Sequence, residues 1–343
     1  MQTISIKEIL HLIITDKVNF IATAITPWHA IGVDACVLKL IDDGIDVSGI
    51  ILIEMHTVGG YVIDESHFTN SQCSVYFVEK PLFDGVFVEL KLMIQKFYSI
   101  FKLIRNERIG PQIYLASSWH INAGLFVKLN KHLSNHNFSF IVFEEGLATY
   151  FPSSESCITI WRDSGINKTL IKHIFSFIFR ILNKYIHSLL EKIISFENFN
   201  LFDQKGKTLI KNNNALKYYG LTLKLVHQSI KYSKVFENST IICTMPYPRN
   251  EMNIKEYVFL LKEVIDCLVR KGAKVVLKPH PRELDYKEMY SSLNCVLFDK
   301  RDLSLESIMA SYTIESIIGF SSTSLITSSL LFDIKSISLL GLQ

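Results

Sequence analysis

The stretch VRKGAKVVLKPHPRE, residues 269–283, contains the end of one element, the whole of a second and the start of a third. Helical apolar spacing over residues 254–271 stops at Gly272, a residue suited to the left-handed turn that closes a helix. Residues 273–277 follow as a short apolar run rich in valine, which reads as a strand. The strand runs directly into Lys278-Pro279-His280-Pro281-Arg282. Each proline confines the residue before it, so Lys278 and His280 are held extended. An imidazole fixed in direction at a strand exit, with cations on both sides, can donate to a phosphate oxygen and act as a general acid. The plain alternative is a turn histidine that only finishes a strand.

The same helix-strand alternation extends in both directions. In the second half, residues 239–246, 295–298, 315–320 and 336–340 read as strands, and 305–310 and 323–332 as helices. In the first half, residues 18–25, 47–54, 112–117 and 138–145 read as strands, and 87–105 and 123–132 as helices. Strands that are apolar almost throughout, separated by helices, belong to parallel sheets covered on both faces. The middle differs. Residues 166–196 form a long helical pattern carrying Lys168, Lys172, His173, Arg180, Lys184, His187 and Lys192. The polar run DQKGKTLIKNNN, residues 203–214, reads as a loop at the edge of a linker. Its KGKT lacks the leading glycine of a phosphate loop. The expected fold is α/β, with Rossmann-like βα domains at residues 1–200 and 215–343 facing across a cleft. Ligands then belong at the carboxyl ends of the strands.

Composition narrows the function. Of 343 residues, 48% are hydrophobic and 20% charged, enough apolar material for two cores. A net charge of only +3 argues against nucleic acid as a partner. The six cysteines are scattered without ligand spacing, which suits reduced, buried thiols in a cytoplasmic protein and no metal site. No leader pattern opens the chain, and the most apolar helical stretch, residues 170–190, contains Lys172, Arg180 and Lys184, a poor membrane span.

The residues just after the strands carry the chemistry. Those of the first half include Thr26-Pro27-Trp28-His29, Ser117-Ser118-Trp119-His120 and Glu144-Glu145-Gly146. Those of the second half include Thr244-Met245-Pro246, the Lys-Pro-His-Pro run and Ser321-Ser322-Thr323-Ser324. Hydroxyl residues between a strand and a helix can bind an anion at the helix start, or can simply cap it. Either glutamate of the pair can take a proton from a hydroxyl if burial raises its pKa, or both can be solvated acids opening a loop. Taken together, a carboxylate on one domain deprotonates an acceptor, while a histidine and serines on the other neutralise a departing phosphate. A nucleotide-sugar transferase needs these parts. No D-x-D motif is visible, in keeping with catalysis without a metal.

The ordered set Glu144-Glu145-Gly146, His280-Pro281 and Ser321-Ser322 resembles the acidic-acidic-Gly, His-Pro and Ser-Ser motifs of bacterial sialyltransferases of the GT-B fold. That group includes polysialyltransferases and the capsule and lipooligosaccharide enzymes. The resemblance implies that the acid is the catalytic base, that His280 contacts the phosphate of CMP-sialic acid as the acid, and that Ser321, Ser322 and Thr323 bind the same phosphate. It implies Glu306 for the cytidine, Thr26 for the first-strand loop and Thr244 for the start of the nucleotide domain. Lys278 and Arg282 suit a donor bearing both a carboxylate and a phosphate. One departure is that the chain stops at Gln343, just after a strand, where this fold adds helices that cross back.

The expected function is therefore metal-independent, inverting transfer of sialic acid from CMP-sialic acid to a glycan hydroxyl, with no further cofactor. Other transferases on the same scaffold, for Kdo or for CDP-glycerol, share the His-Pro and serine-rich loops and remain open. So does a carbohydrate-binding protein without turnover. The basic stretch 168–192 suits an anionic membrane surface, on the inner face of the cytoplasmic membrane, or a polyanionic acceptor. An amphipathic helix with a solvated basic edge is the plain reading.

Overall fold

Short runs of β-branched and aromatic residues build two all-parallel sheets in this protein. The computed structural model describes residues 2–53, 63–78, 110–118, 129, 132–133, 135–143, 195–205, 208–229, 234–245, 254–281, 283, 285–298, 300, 303–320 and 322–339. Two compact units comprise Met1–Ile25, His29–Met55 and Asp64–Tyr218, and Thr26–Trp28, His56–Ile63 and Tyr219–Gln343.

The first unit holds β1 (Gln2–Ile4), α1 (Ile6–Thr15), β2 (Phe20–Ala24), α2 (Pro27–Asp42) apart from its first two residues, β3 (Gly49–Ile53), a 3-10 turn at Glu65–His67, β4 (Cys73–Val78), β5 (Gln112–Ser117), β6 (Asn137–Phe143) and β7 (Ser195–Phe199). Its seven-stranded sheet runs β1-β4-β3-β2-β5-β6-β7, with every pairing parallel. All five residues of β3 are buried, as a central strand covered on both faces requires. Strand order reverses between β2 and β5, the place where an open α/β sheet receives ligands.

Local rules set the helices. Ser5 and Glu8 form a reciprocal capping box at the start of α1, whose Ile9 and Ile13 join Ile21, Ile50 and Phe140 in the core. Pro27 opens α2, where its missing N–H removes no bond. Midway along α2, buried Asp34 accepts the Thr69 N–H at 2.5 Å, the Thr69 hydroxyl at 2.6 Å and the Asn70 amide, fastening the segment that leads into β4.

An antiparallel pair, β8 (Phe202–Lys205) and β9 (Thr208–Lys211), precedes α3 (Asn213–Ser229). Where described, residues 203–205 and 208–211 are thus strand, not the loop that the polarity of 203–214 suggests. Short strands that pair only with each other leave little periodicity in the sequence. Likewise the helical pattern that runs to residue 196 gives way by residue 195 to β7, the parallel edge strand beside β6. The expected helices over 87–105 and most of 123–132, and the basic stretch 168–192, lie outside the described residues.

The second unit holds β10 (Ser239–Cys243), α4 (Ile254–Arg270), β11 (Lys274–Lys278), α5 (Tyr286–Met289), β12 (Val296–Leu297), α6 (Leu305–Ser311), β13 (Ile314–Gly319), α7 (Thr323–Phe332) and β14 (Lys335–Ser338). The sheet order is β12-β11-β10-β13-β14, again all parallel. Side chains alternate between its faces. Ile242, Val275, Leu277 and Ile318 pack with Tyr257, Leu261 and Ile265, which are spaced four apart on α4. Ile241, Cys243, Val276 and Ile317 pack with Leu305, Ile308 and Met309 of α6 on the other face. Gly272 adopts φ +83° just past α4, closing that helix as its sequence predicts. Order reverses here between β10 and β13.

Candidate active site

Register brings the strand exits of the second unit to one edge. Cys243 pairs with Lys278 on one side and with Gly319 on the other, so three strands end level. Thr244, Pro279-His280 and Phe320–Ser322 follow directly. Strand alternation then sorts their neighbours. Lys278 lies two residues beyond Val276 and shares its face with Cys243 and α6, whereas Thr244, two beyond Ile242, turns to the α4 face.

On the α6 face sits Glu306, only 4% exposed in the first turn of α6. Its Oε1 accepts the Ser324 hydroxyl at 3.0 Å and the Thr327 hydroxyl at 2.8 Å, both from α7. Ser322 is the N-cap of α7, and its Oγ accepts the Ser324 N–H at 3.3 Å. Thr323 is the first residue of that helix, and its carbonyl accepts the Thr327 hydroxyl at 3.4 Å. The start of α7 is thereby locked onto a buried carboxylate. Lys278, 7% exposed, and Glu306 both act on the Cys243 thiol. Burial pushes that thiol up to about 12, Lys278 opposing and Glu306 adding to the rise. A cation and a carboxylate thus act at the strand ends on a buried thiol.

On the α4 face the His-Pro turn is fastened by a second buried acid. Glu283, 5% exposed, accepts the Thr244 hydroxyl and the His280 N–H (2.8 Å) at Oε2, and the Tyr290 hydroxyl (2.7 Å) at Oε1. The His280 N–H also reaches Thr244 Oγ1 at 2.8 Å, and the Glu283 N–H donates to the His280 carbonyl at 2.9 Å. Tyr257 joins the cluster by accepting the Met245 N–H at 3.2 Å. Burial raises the Tyr257 and Tyr290 phenols, and the charge of Glu283 raises them further. Pro279 is buried, while His280 and Pro281 are half-buried.

In the first unit, the exits of β2, β5 and β6 also end together. The His29 Nδ1 accepts the Ile25 N–H at 3.3 Å, and its ring meets the edge of Phe143, the last residue of β6, at 5.8 Å. Ser117 and Ser118 are buried at the end of β5. Thr26 sits between β2 and α2, and Trp28, a residue of the second unit like Thr26, stacks on Tyr219 at 5.2 Å. Glu144 and Glu145, the residues after Phe143, lie outside the described residues, as do Trp119, His120, Arg282 and Ser321.

Seven of the sequence-derived candidates, Thr244, Lys278, His280, Pro281, Glu306, Ser322 and Thr323, thus occupy one edge of one sheet. Sequence reading did not pick out Glu283, Tyr290 or Tyr257. The signal for Glu283 was local, an acid three residues after a turn N–H, the spacing at which a carboxylate caps a turn. The second unit also carries buried acids of its own, Glu283 and Glu306. Among the described residues no cluster of three His, Cys, Asp or Glu side chains could hold a metal ion, and no helix is long and apolar enough to cross a membrane.

The family model for alpha-2,8-polysialyltransferase (POLYST) matches residues 24–341. No curated protein sequence matches the chain significantly. Similar solved structures include an alpha/beta-galactoside alpha-2,3-sialyltransferase from Photobacterium phosphoreum, at 10% identity and TM-score 0.47, covering 92% of this chain and 88% of that one. They also include the UDP-GlcNAc 2-epimerase of Neisseria meningitidis bound to UDP-GlcNAc, at 11% identity and TM-score 0.49, covering 93% and 82%. A third is the E. coli heptosyltransferase WaaC with ADP, at 8% identity and TM-score 0.38, covering 93% and 86%.

Proposed function

The chain belongs to the alpha-2,8-polysialyltransferase family, and from that premise we propose that it transfers sialic acid from CMP-sialic acid to a hydroxyl of a growing sialic acid chain or related glycan, with inversion and without a metal ion. Membership makes it a glycosyltransferase; the donor and the chemistry below are the proposal. One carboxylate of the Glu144-Glu145 pair takes the proton of the acceptor hydroxyl. The oxygen attacks the anomeric carbon from the face opposite CMP, and the bond from that carbon to the phosphate oxygen breaks with its electron pair on the phosphate. His280 donates to that oxygen, while Lys278 and the N-terminal N–H groups of α7, beside Ser321, Ser322 and Thr323, meet the phosphate charge. Glu306 faces the cytidine.

The observation that carries the reading is the level ending of β10, β11 and β13, which gathers Thr244, His280 and the capped start of α7 at a strand-order reversal. The experiment is a donor comparison with purified protein and an oligosialic acid acceptor. CMP-sialic acid should release CMP, whereas CMP-Kdo and CDP-glycerol should not, and CMP alone should raise the melting temperature while UDP and ADP leave it unchanged. His280→Ala and the double substitution Glu144→Ala/Glu145→Ala should each lower kcat by about 10²–10⁴-fold. Turnover of CMP-Kdo or CDP-glycerol in place of CMP-sialic acid would overturn the reading.

A further inference from the structure

We propose that Glu283 is a positioning residue, holding the His280 backbone so that the imidazole has one direction. That His280 serves as the acid rests on the sialyl-transfer reading; the anchoring itself does not. A turn needs one acceptor for one N–H, and Thr244 Oγ1 already accepts the His280 N–H at 2.8 Å. Glu283 adds a second acceptor at 2.8 Å and returns its own N–H to the His280 carbonyl at 2.9 Å. Pro281 restricts His280 from the other side. The N–H, the carbonyl and the torsion of residue 280 are therefore all fixed, more than a solvent-facing turn requires. The carboxylate that does this is itself held by the Tyr290 hydroxyl at the end of α5 and by the Thr244 hydroxyl at the end of β10. Three chain segments converge on one buried anion, whose hydrogen bonds are charge-assisted. Such support around a reacting group preorganises it, and a displacement of about 1 Å can cost on the order of 100-fold in rate.

The test combines kinetics with a readout that needs no turnover. Glu283→Ala should lower kcat on the order of 10- to 100-fold, with the donor KM changed by less than about threefold. Glu283→Gln should restore most of the rate. Its amide oxygen can accept from His280 and Thr244, and its NH₂ can donate to the Tyr290 oxygen. In a His280→Ala background, Glu283→Ala should cost less than about twofold more, because the residue acts through the imidazole. Equal losses in both backgrounds, or a loss confined to KM, would overturn the proposal.

Independently, the His280 ring signals in ¹⁵N-histidine spectra, assigned by their absence in His280→Ala, should move or broaden in Glu283→Ala and return in Glu283→Gln. Unchanged His280 signals would also overturn it. If Glu283→Ala does not fold, Tyr290→Phe, which removes one donor from the carboxylate, is read by the same spectra. A protein that turns over no sialyl donor defeats the functional reading, whereas the spectra still decide the anchoring.

Discussion

Three buried carboxylates, Asp34, Glu283 and Glu306, and the half-buried imidazole of His280 account for much of what is specific at the residue scale. Glu306 takes hydroxyl bonds from Ser324 and Thr327, and Glu306→Ala removes the acceptor of both. In urea unfolding this should cost about 1–3 kcal/mol, whereas Glu306→Gln, which keeps an acceptor oxygen, should stay within about 1 kcal/mol of wild type. Asp34 provides a pH test. Burial holds its carboxyl above the ordinary value of 3.8, with the bonds from Thr69 and Asn70 pulling the other way. A carboxyl raised by folding contributes stability that is complete below its unfolded value and is lost as pH rises through its folded value. Asparagine cannot ionise, so Asp34→Asn should gain on wild type in unfolding free energy as pH is raised from about 4 to 7. A difference that stays flat or moves the other way contradicts that assignment. Residues such as His280 and Ser322 were legible from sequence because prolines and helix caps act over a few positions. The Asp34–Thr69 clamp spans 35 positions and has no local signature. Glu306 was named through the family resemblance rather than from its surroundings.

The start of α7 poses a choice between two readings of Ser322, and one pair of variants separates them. Ser322→Ala removes the cap on the Ser324 N–H and should cost about 1 kcal/mol in thermal or urea unfolding. Ser322→Asp keeps a good cap and favours the helix dipole, so stability should hold, yet its charge opposes an incoming phosphate. If α7 binds the donor phosphate, calorimetry should show CMP affinity falling in Ser322→Asp despite intact stability; unchanged affinity leaves Ser322 as a cap alone. Elements with strong internal signals were readable from sequence: β5 and α7 begin and end where expected, and α4 closes at Gly272 as expected. Those that failed were stabilised from outside. β7 is a strand because β6 lies beside it, and β8 and β9 because they pair with each other. β1, at three residues, is too short for any periodicity to show.

For the molecule as a whole, the near-continuous apolar strands announced parallel sheets correctly, because only strands covered on both faces carry that composition. Strand order was not readable, since every inner strand offers the same apolar surface to any neighbour. If CMP binds where β10, β11 and β13 end, amide exchange should slow at Thr244, His280 and residues 322–324 on its addition. The β2–β3 ladder of the first sheet should exchange as before. Equal slowing in both sheets, or none in the second, would argue against that location. The order of the second sheet also bears on how the chain is made. β10 is flanked by β11, which emerges soon after it, and by β13, which begins only at Ile314. A ribosome adding ~5–20 residues per second leaves that side of β10 open for ~4–15 s. During that interval an unsatisfied apolar edge is exposed to other nascent chains, so holdase chaperones should bind arrested chains that end before β13 more tightly than chains that include it.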